Sequence, residues 1–117
     1  MIRLTNQIVA TLSAVWPKAN IDSIRGAEKT DFTLETDPLI MITVDNIDVK
    51  TIIVSCLRSV EPKPVIATQI KIESTGEGYS VIKFDGSEYQ INDVDDIPQF
   101  VLDQILIFLG SPEDYRQ

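Results

Sequence analysis

Residues 65–92 hold three short segments of alternating apolar residues, cut apart by glycine turns, and few folds other than an antiparallel meander accommodate that pattern. Val65 to Glu73 reads as a strand with Ile66, Ile70 and Ile72 apolar, and Thr75-Gly76-Glu77-Gly78 follows as a turn. Tyr79 to Phe84 reads as the next strand and Ser87 to Ile91 as the last. Between them, Asp85-Gly86 is a tight-hairpin dipeptide. The stiff connector Glu61-Pro62-Lys63-Pro64 leads into this meander.

Upstream the signals are mixed. Leu4, Ile8, Val9, Leu12, Val15 and Trp16 form one helical stripe, and Pro17 ends that helix. Residues 18–29 are polar and contain Gly26, so they read as a loop with a helical turn around Ile21 to Ile24. Thr30 to Thr36 and Leu39 to Val44 read as strands joined by an Asp37-Pro38 turn. Residues 49–60 pit period against propensity. Val49, Ile52, Ile53, Cys56, Leu57 and Val60 fit one helical face, with Asp48 as N-cap, whereas Thr51-Ile52-Ile53-Val54 prefers strand. The six-position match predicts a helix. The last helix is predicted from Asp96 to Leu109, with Asp96 and Gln99 forming a capping box, Pro98 in the first turn and Gly110 at the C-terminal cap. The expectation is an α+β fold in the order α-β-β-α-β-β-β-α: an antiparallel sheet of about five strands with three helices, mostly packed on one face. Residues 1–110 form one domain in this reading, and 111–117 a loose tail.

At 117 residues and 44% hydrophobic, the chain can bury one ordinary core. It has no apolar run of membrane-spanning length, no signal-peptide pattern and a single cysteine, which together predict a cytoplasmic protein. The net charge is −8, and it is unevenly placed. Residues 1–58 hold seven acids and six bases, residues 59–117 eleven acids and four bases, with no base between Lys83 and Arg116. Such a field repels nucleic-acid phosphates and anionic membranes and speeds encounter with a basic protein.

The chain has no histidine, which removes the commonest general base and the commonest zinc ligand. Neither phosphate-binding glycine motif occurs. Cys56 belongs to the apolar stripe and reads as core. Asn92-Asp93-Val94-Asp95-Asp96 lacks the glycine and glutamate of a calcium loop and reads as an acidic helix cap. Asp45 with Gln69-Ile70-Lys71 partly resembles the acid and strand-borne lysine of metal-dependent nucleases, but Gln69 stands where those proteins need a second carboxylate. No enzyme, cofactor or metal is therefore expected. Trp16, Phe100 and Phe108 read as core. The last helix is apolar around nearly its whole circumference, so its surplus face lies beneath the first helix or against another chain.

In size, acidity and lack of catalytic groups the chain is similar to bacterial toxin-immunity proteins. That resemblance implies a basic partner, such as a nuclease-type toxin, bound by Asp85, Glu88, Asp93, Asp95, Asp96 and Asp103. It implies no direct contact with nucleic acid or membrane. The expected element order also resembles small acidic dimeric secretion-type chaperones, with a homodimer through the last helix. A third reading is a nucleic-acid mimic from a mobile element.

Overall fold

Seven antiparallel strands follow one another in chain order across a single sheet in a computed structural model of the protein, which describes residues 2–24, 29–35, 39–58 and 65–109. They are β1 (Asn20–Ile24), β2 (Lys29–Leu34), β3 (Ile40–Asp48), β4 (Thr51–Arg58), β5 (Val65–Ser74), β6 (Tyr79–Ile82) and β7 (Glu88–Ile91). Two helices flank the sheet in sequence, α1 (Ile2–Val15) and α2 (Ile97–Leu109). Both lie on the same sheet face, α1 over β3 and α2 over β5, and they touch each other.

Alternation along the strands builds the core. Phe32, Ile42, Val44, Ile52, Val54, Ile70, Ile72 and Val81 point to the helix side and are buried. Leu4, Ile8 and Leu12 of α1 and Val101, Ile105 and Leu109 of α2 close over them. Each such side chain stabilises the fold by roughly 1.5–3 kcal/mol through burial alone. Trp16 is buried as expected, but Phe100 is half-buried and Phe108 is 38% exposed.

The predicted class holds, while its inventory changes from five strands and three helices to seven strands and two helices. Residues 51–58 are the central strand β4, not a helix. Val44 and Ile70 are its neighbours at Val54, in register on either side. The helical match arose because both faces of β4 carry apolar residues: Ile52, Val54 and Cys56 face the core, and Ile53 and Leu57 face the other way. Val54 lies off the helical stripe yet is 1% exposed. Asp48, the expected N-cap, instead closes the β3–β4 turn by accepting from the Lys50 N–H at 2.8 Å. Asn46, buried beneath that turn, donates to the carbonyls of Asp48 and Thr51. The second added strand, β1, lies within the predicted loop. It is an edge strand with one large apolar side chain on the helix side, Ile21, which is 48% exposed.

The three-strand meander stands where the sequence places it, with β6 ending at Ile82 instead of Phe84 and β7 starting at Glu88. Gly86 has φ +90°, and the Gly86 N–H donates to the Lys83 carbonyl at 2.9 Å to form the β6–β7 turn. At the start of α2 the cap shifts. Val94–Asp96 is a single 3-10 turn, and Asp93, not Asp96, caps it by accepting from the Asp95 N–H at 3.0 Å. Gln99 does not complete a capping box; its amide donates to Asp103 at 2.8 Å. The Asp37-Pro38 turn, the 61–64 connector, the Gly110 cap and the 111–117 tail lie outside the described residues. No helix is long and apolar enough to cross a membrane among the described residues.

Candidate protein-binding surface

With both helices on one side, the opposite face of the sheet has no helix over it among the described residues. Strand alternation sends the polar partners of the core residues there: Asp31 and Thr33 from β2, Thr43 and Asp45 from β3, Ser55 from β4, Gln69, Lys71 and Glu73 from β5. Met41, Ile53, Leu57 and Ile82 are interspersed and partly buried. Cross-strand bonds order parts of this surface. Gln69 donates to the Ser55 hydroxyl at 3.0 Å, and the Ser80 hydroxyl donates to Glu88. Lys71 and Glu73 form an ion pair at 2.7 Å, which raises the lysine pKa.

The face is acidic. Asp22, Asp31, Asp45, Glu73 and Glu88 project from it against Lys29 and Lys71. Asp22 and Asp31 sit directly opposite each other on β1 and β2, an arrangement in which like charges oppose sheet stability. One Asp31 carboxylate oxygen is shielded from water and has no hydrogen-bond partner among the described residues. Such an oxygen is costly unless a cation or donor reaches it. Sequence reading passes over Asp22 and Asp31 and weighs Asp45 only beside Lys71, because residues 1–58 are close to neutral in sum. The signal was the alternation itself: Asp31 sits between Thr30 and Phe32, both core-facing.

The six carboxylates singled out from the sequence are all exposed. The fold divides them among several places along the β7 and α2 border. Asp85 is in the β6–β7 turn, where the Ser87 N–H holds its carboxyl below the usual range. Glu88 points to the helix-free face beside Ser80. Asp93, Asp95 and Asp96 gather at the other end of β7, at the start of α2, beside a shallow cleft lined by Glu77, Tyr79 and Asn92. Asp103 lies on the outer ridge of α2. Lys83 is close enough to Asp85 to lower its pKa further, so the charge at that end is mixed.

Cys56 is fully buried, and burial raises its thiol to about 11, leaving it protonated at neutral pH. No group of three or more acidic or cysteine side chains among the described residues is placed to hold a metal ion. Asp45 and Lys71 share the helix-free face, but Ile53 of β4 stands between them in register, so they sit about 10 Å apart and do not form the nuclease pair.

The surplus apolar face of α2 divides. Leu106 packs against the core, while Ile107 is 77% exposed. Ile107, Phe108 and Phe84 surround a hollow of about 390 Å³ with Thr68, Lys83, Asp85 and Gln104. The Arg58 guanidinium sits 5.2 Å from the Phe108 ring centre.

Comparison of the chain with protein-family models, with curated proteins and with solved structures finds no match in any of the three.

Proposed function

We infer that the domain is a non-enzymatic binding module that masks a basic protein, with its helix-free sheet face and the acidic α2 border as the contact surfaces. The observation that carries this reading is the Asp22–Asp31 pair. Two carboxylates face each other on the sheet face away from both helices, one with a shielded oxygen lacking any partner among the described residues. An arginine or lysine from another protein supplies what that site lacks, as a charge-assisted bond. Asp45 adds to the same attraction, and Asp93, Asp95 and Asp96 extend it beyond the sheet edge. Neutralisation of a basic toxin in the bacterial cytoplasm is the biological role that fits such a surface best. A lone buried thiol is at home in that reducing compartment.

Affinity capture from host lysate, followed by association kinetics at several salt concentrations, tests the reading. The expected partner is basic, and Asp22→Lys with Asp31→Lys slows its association about tenfold at low salt and flattens the salt dependence. Asp93→Lys with Asp95→Lys produces a smaller slowing of the same kind. An acidic partner, or an on-rate indifferent to both reversals, refutes the proposal. A second reading, an acidic dimeric secretion-type chaperone, draws support from the exposed apolar end of α2, although the element order that suggested it is not the one observed.

A further inference from the structure

β1 pairs with β2 along one edge and, among the described residues, with no strand along the other. Asn20, Ile21 and Asp22 are exposed, so the outer edge is open over that length. Alternate residues of an edge strand turn their N–H and C=O groups outward, where another strand can take them up. We propose that β1 receives an extended basic segment of a partner protein as a further strand of the sheet. The inference rests on the basic-partner reading above and adds how that partner is held.

The parity of β1 specifies the segment. Asp22 projects to the face away from the helices, opposite Asp31. A residue added across from Asp22 lies about 5 Å from it and, one strand further, about 10 Å from Asp31. An arginine at that position spans both. Its fork engages the Asp22 carboxylate and reaches the Asp31 oxygen that has no hydrogen-bond partner among the described residues. Ile21 points the other way, beside the buried Phe32, and is 48% exposed. The residues flanking the arginine fall on that side, and an apolar one there covers Ile21 and widens the core by one strand. The segment therefore alternates basic with apolar residues and matches the five residues of β1 in length.

Charge favours such a segment over a second copy of this chain. Residues 18–37, every one counted, hold five acids and three bases. Within that stretch Arg25 and Glu28, outside the described residues, cancel. A second chain offering its own β1 brings Asp22 and Asp31 against the same pair, and one offering β7 brings Glu88, which shares their face. Like charges on adjacent strands oppose pairing. The other edge strand, β7, is less suited to a basic segment, because the Lys83 ammonium lies 5.8 Å from the ring centre of its Tyr89.

Two capped peptides of about seven residues serve as probes, one alternating valine with arginine and one alternating valine with glutamate. Amide spectra and hydrogen exchange of the labelled full chain report where they bind. The arginine peptide is expected to shift and protect amides of β1 at about 1 mM or below, and the glutamate peptide to do neither. N-methylation at alternate positions blocks one edge of a peptide backbone. Of the two arginine peptides methylated in this way, one binds about tenfold more weakly than the other. Asp22→Lys with Asp31→Lys, checked for native circular dichroism, reverses the preference, so the glutamate peptide binds and the arginine peptide weakens about tenfold. Strand addition is overturned if the arginine peptide leaves the β1 amides unprotected, if the two methylated peptides bind equally, or if the reversed chain keeps its preference. An arginine peptide that binds the sheet face without protecting β1 removes strand addition and leaves the basic-partner reading standing. That reading falls by its own measures, an acidic partner or an indifferent on-rate.

Discussion

Threonine substitutions at two neighbouring positions, Val54 and Ile53, separate a central strand from a helix at residues 51–58. Val54 faces the core from the middle strand, between Val44 and Ile70, and is 1% exposed. Threonine has nearly the same shape and is equally at home in a strand, so Val54→Thr changes little except polarity. Its hydroxyl meets an apolar environment, and an unpartnered buried hydroxyl costs about 1–3 kcal/mol. With the lost methyl contact the total is roughly 2–3 kcal/mol, a fall of about 10 °C in melting temperature for a chain of this length. Ile53 points to the helix-free face and is only partly buried. The Ile53→Thr hydroxyl reaches water, and the cost is about 1 kcal/mol or less. Urea unfolding followed by circular dichroism reads both, and an unchanged denaturant slope shows that the midpoint shift reports stability. A helix makes the opposite demand, burying Ile53 and exposing Val54. If Ile53→Thr proves the more damaging, β4 is wrongly placed, and the seven-stranded sheet with it.

Two further outcomes follow from the core and its turns. Asn46→Ala leaves the carbonyls of Asp48 and Thr51 without their donor beneath the β3–β4 turn and destabilises the fold by about 1–3 kcal/mol in urea titration; native-like stability would remove Asn46 from that role. Cys56 is inert towards a thiol reagent in the native state and reacts only on unfolding. Because its thiol is raised from 9.0 to about 11 in the folded state, that contribution is intact below pH 9 and fades, by up to ~3 kcal/mol, as pH rises to 11; a pH-stability series on wild type and Cys56→Ala that coincide across this window refutes it.

The parts of the fold legible in the sequence are those where one face of an element is polar and the other apolar. α1 was readable because Leu4, Ile8 and Leu12 share a stripe while Asn6 and Ala10 lie off it. The β6–β7 hairpin was readable because Gly86 takes a positive φ that other residues resist. β4 was not readable, because a central strand with partly buried residues on both faces loses its two-residue period. Ile53 and Leu57 on the second face completed a false helical stripe. β1 failed for the converse reason. An edge strand needs few apolar residues, and Asp22 and Ser23 conceal the alternation that its register with β2 imposes.

The candidate surface obeys a different logic. In a meander each strand pairs with the next, so charge along the chain becomes charge across the sheet. The near-neutral first half of the sequence therefore builds the β1–β3 end. Neutrality there is only a sum, because alternation sorts residues by face. Arg3 belongs to α1, and Arg58 reaches across the helix side to Phe108. Asp22, Asp31 and Asp45 all emerge on the opposite face, with Lys29 among them. A chain-level count cannot see this, since it adds charges that the sheet holds apart. The acidic second half behaves in the reverse manner. Its carboxylates look contiguous in sequence, yet β7 puts Asp85 and Asp93 at opposite ends and turns Glu88 to the other side. What this face presents is set by the parity of each residue in its strand, and parity makes the nearly neutral end of this sheet carry the acidic pair, one of whose carboxylate oxygens has no hydrogen-bond partner among the described residues.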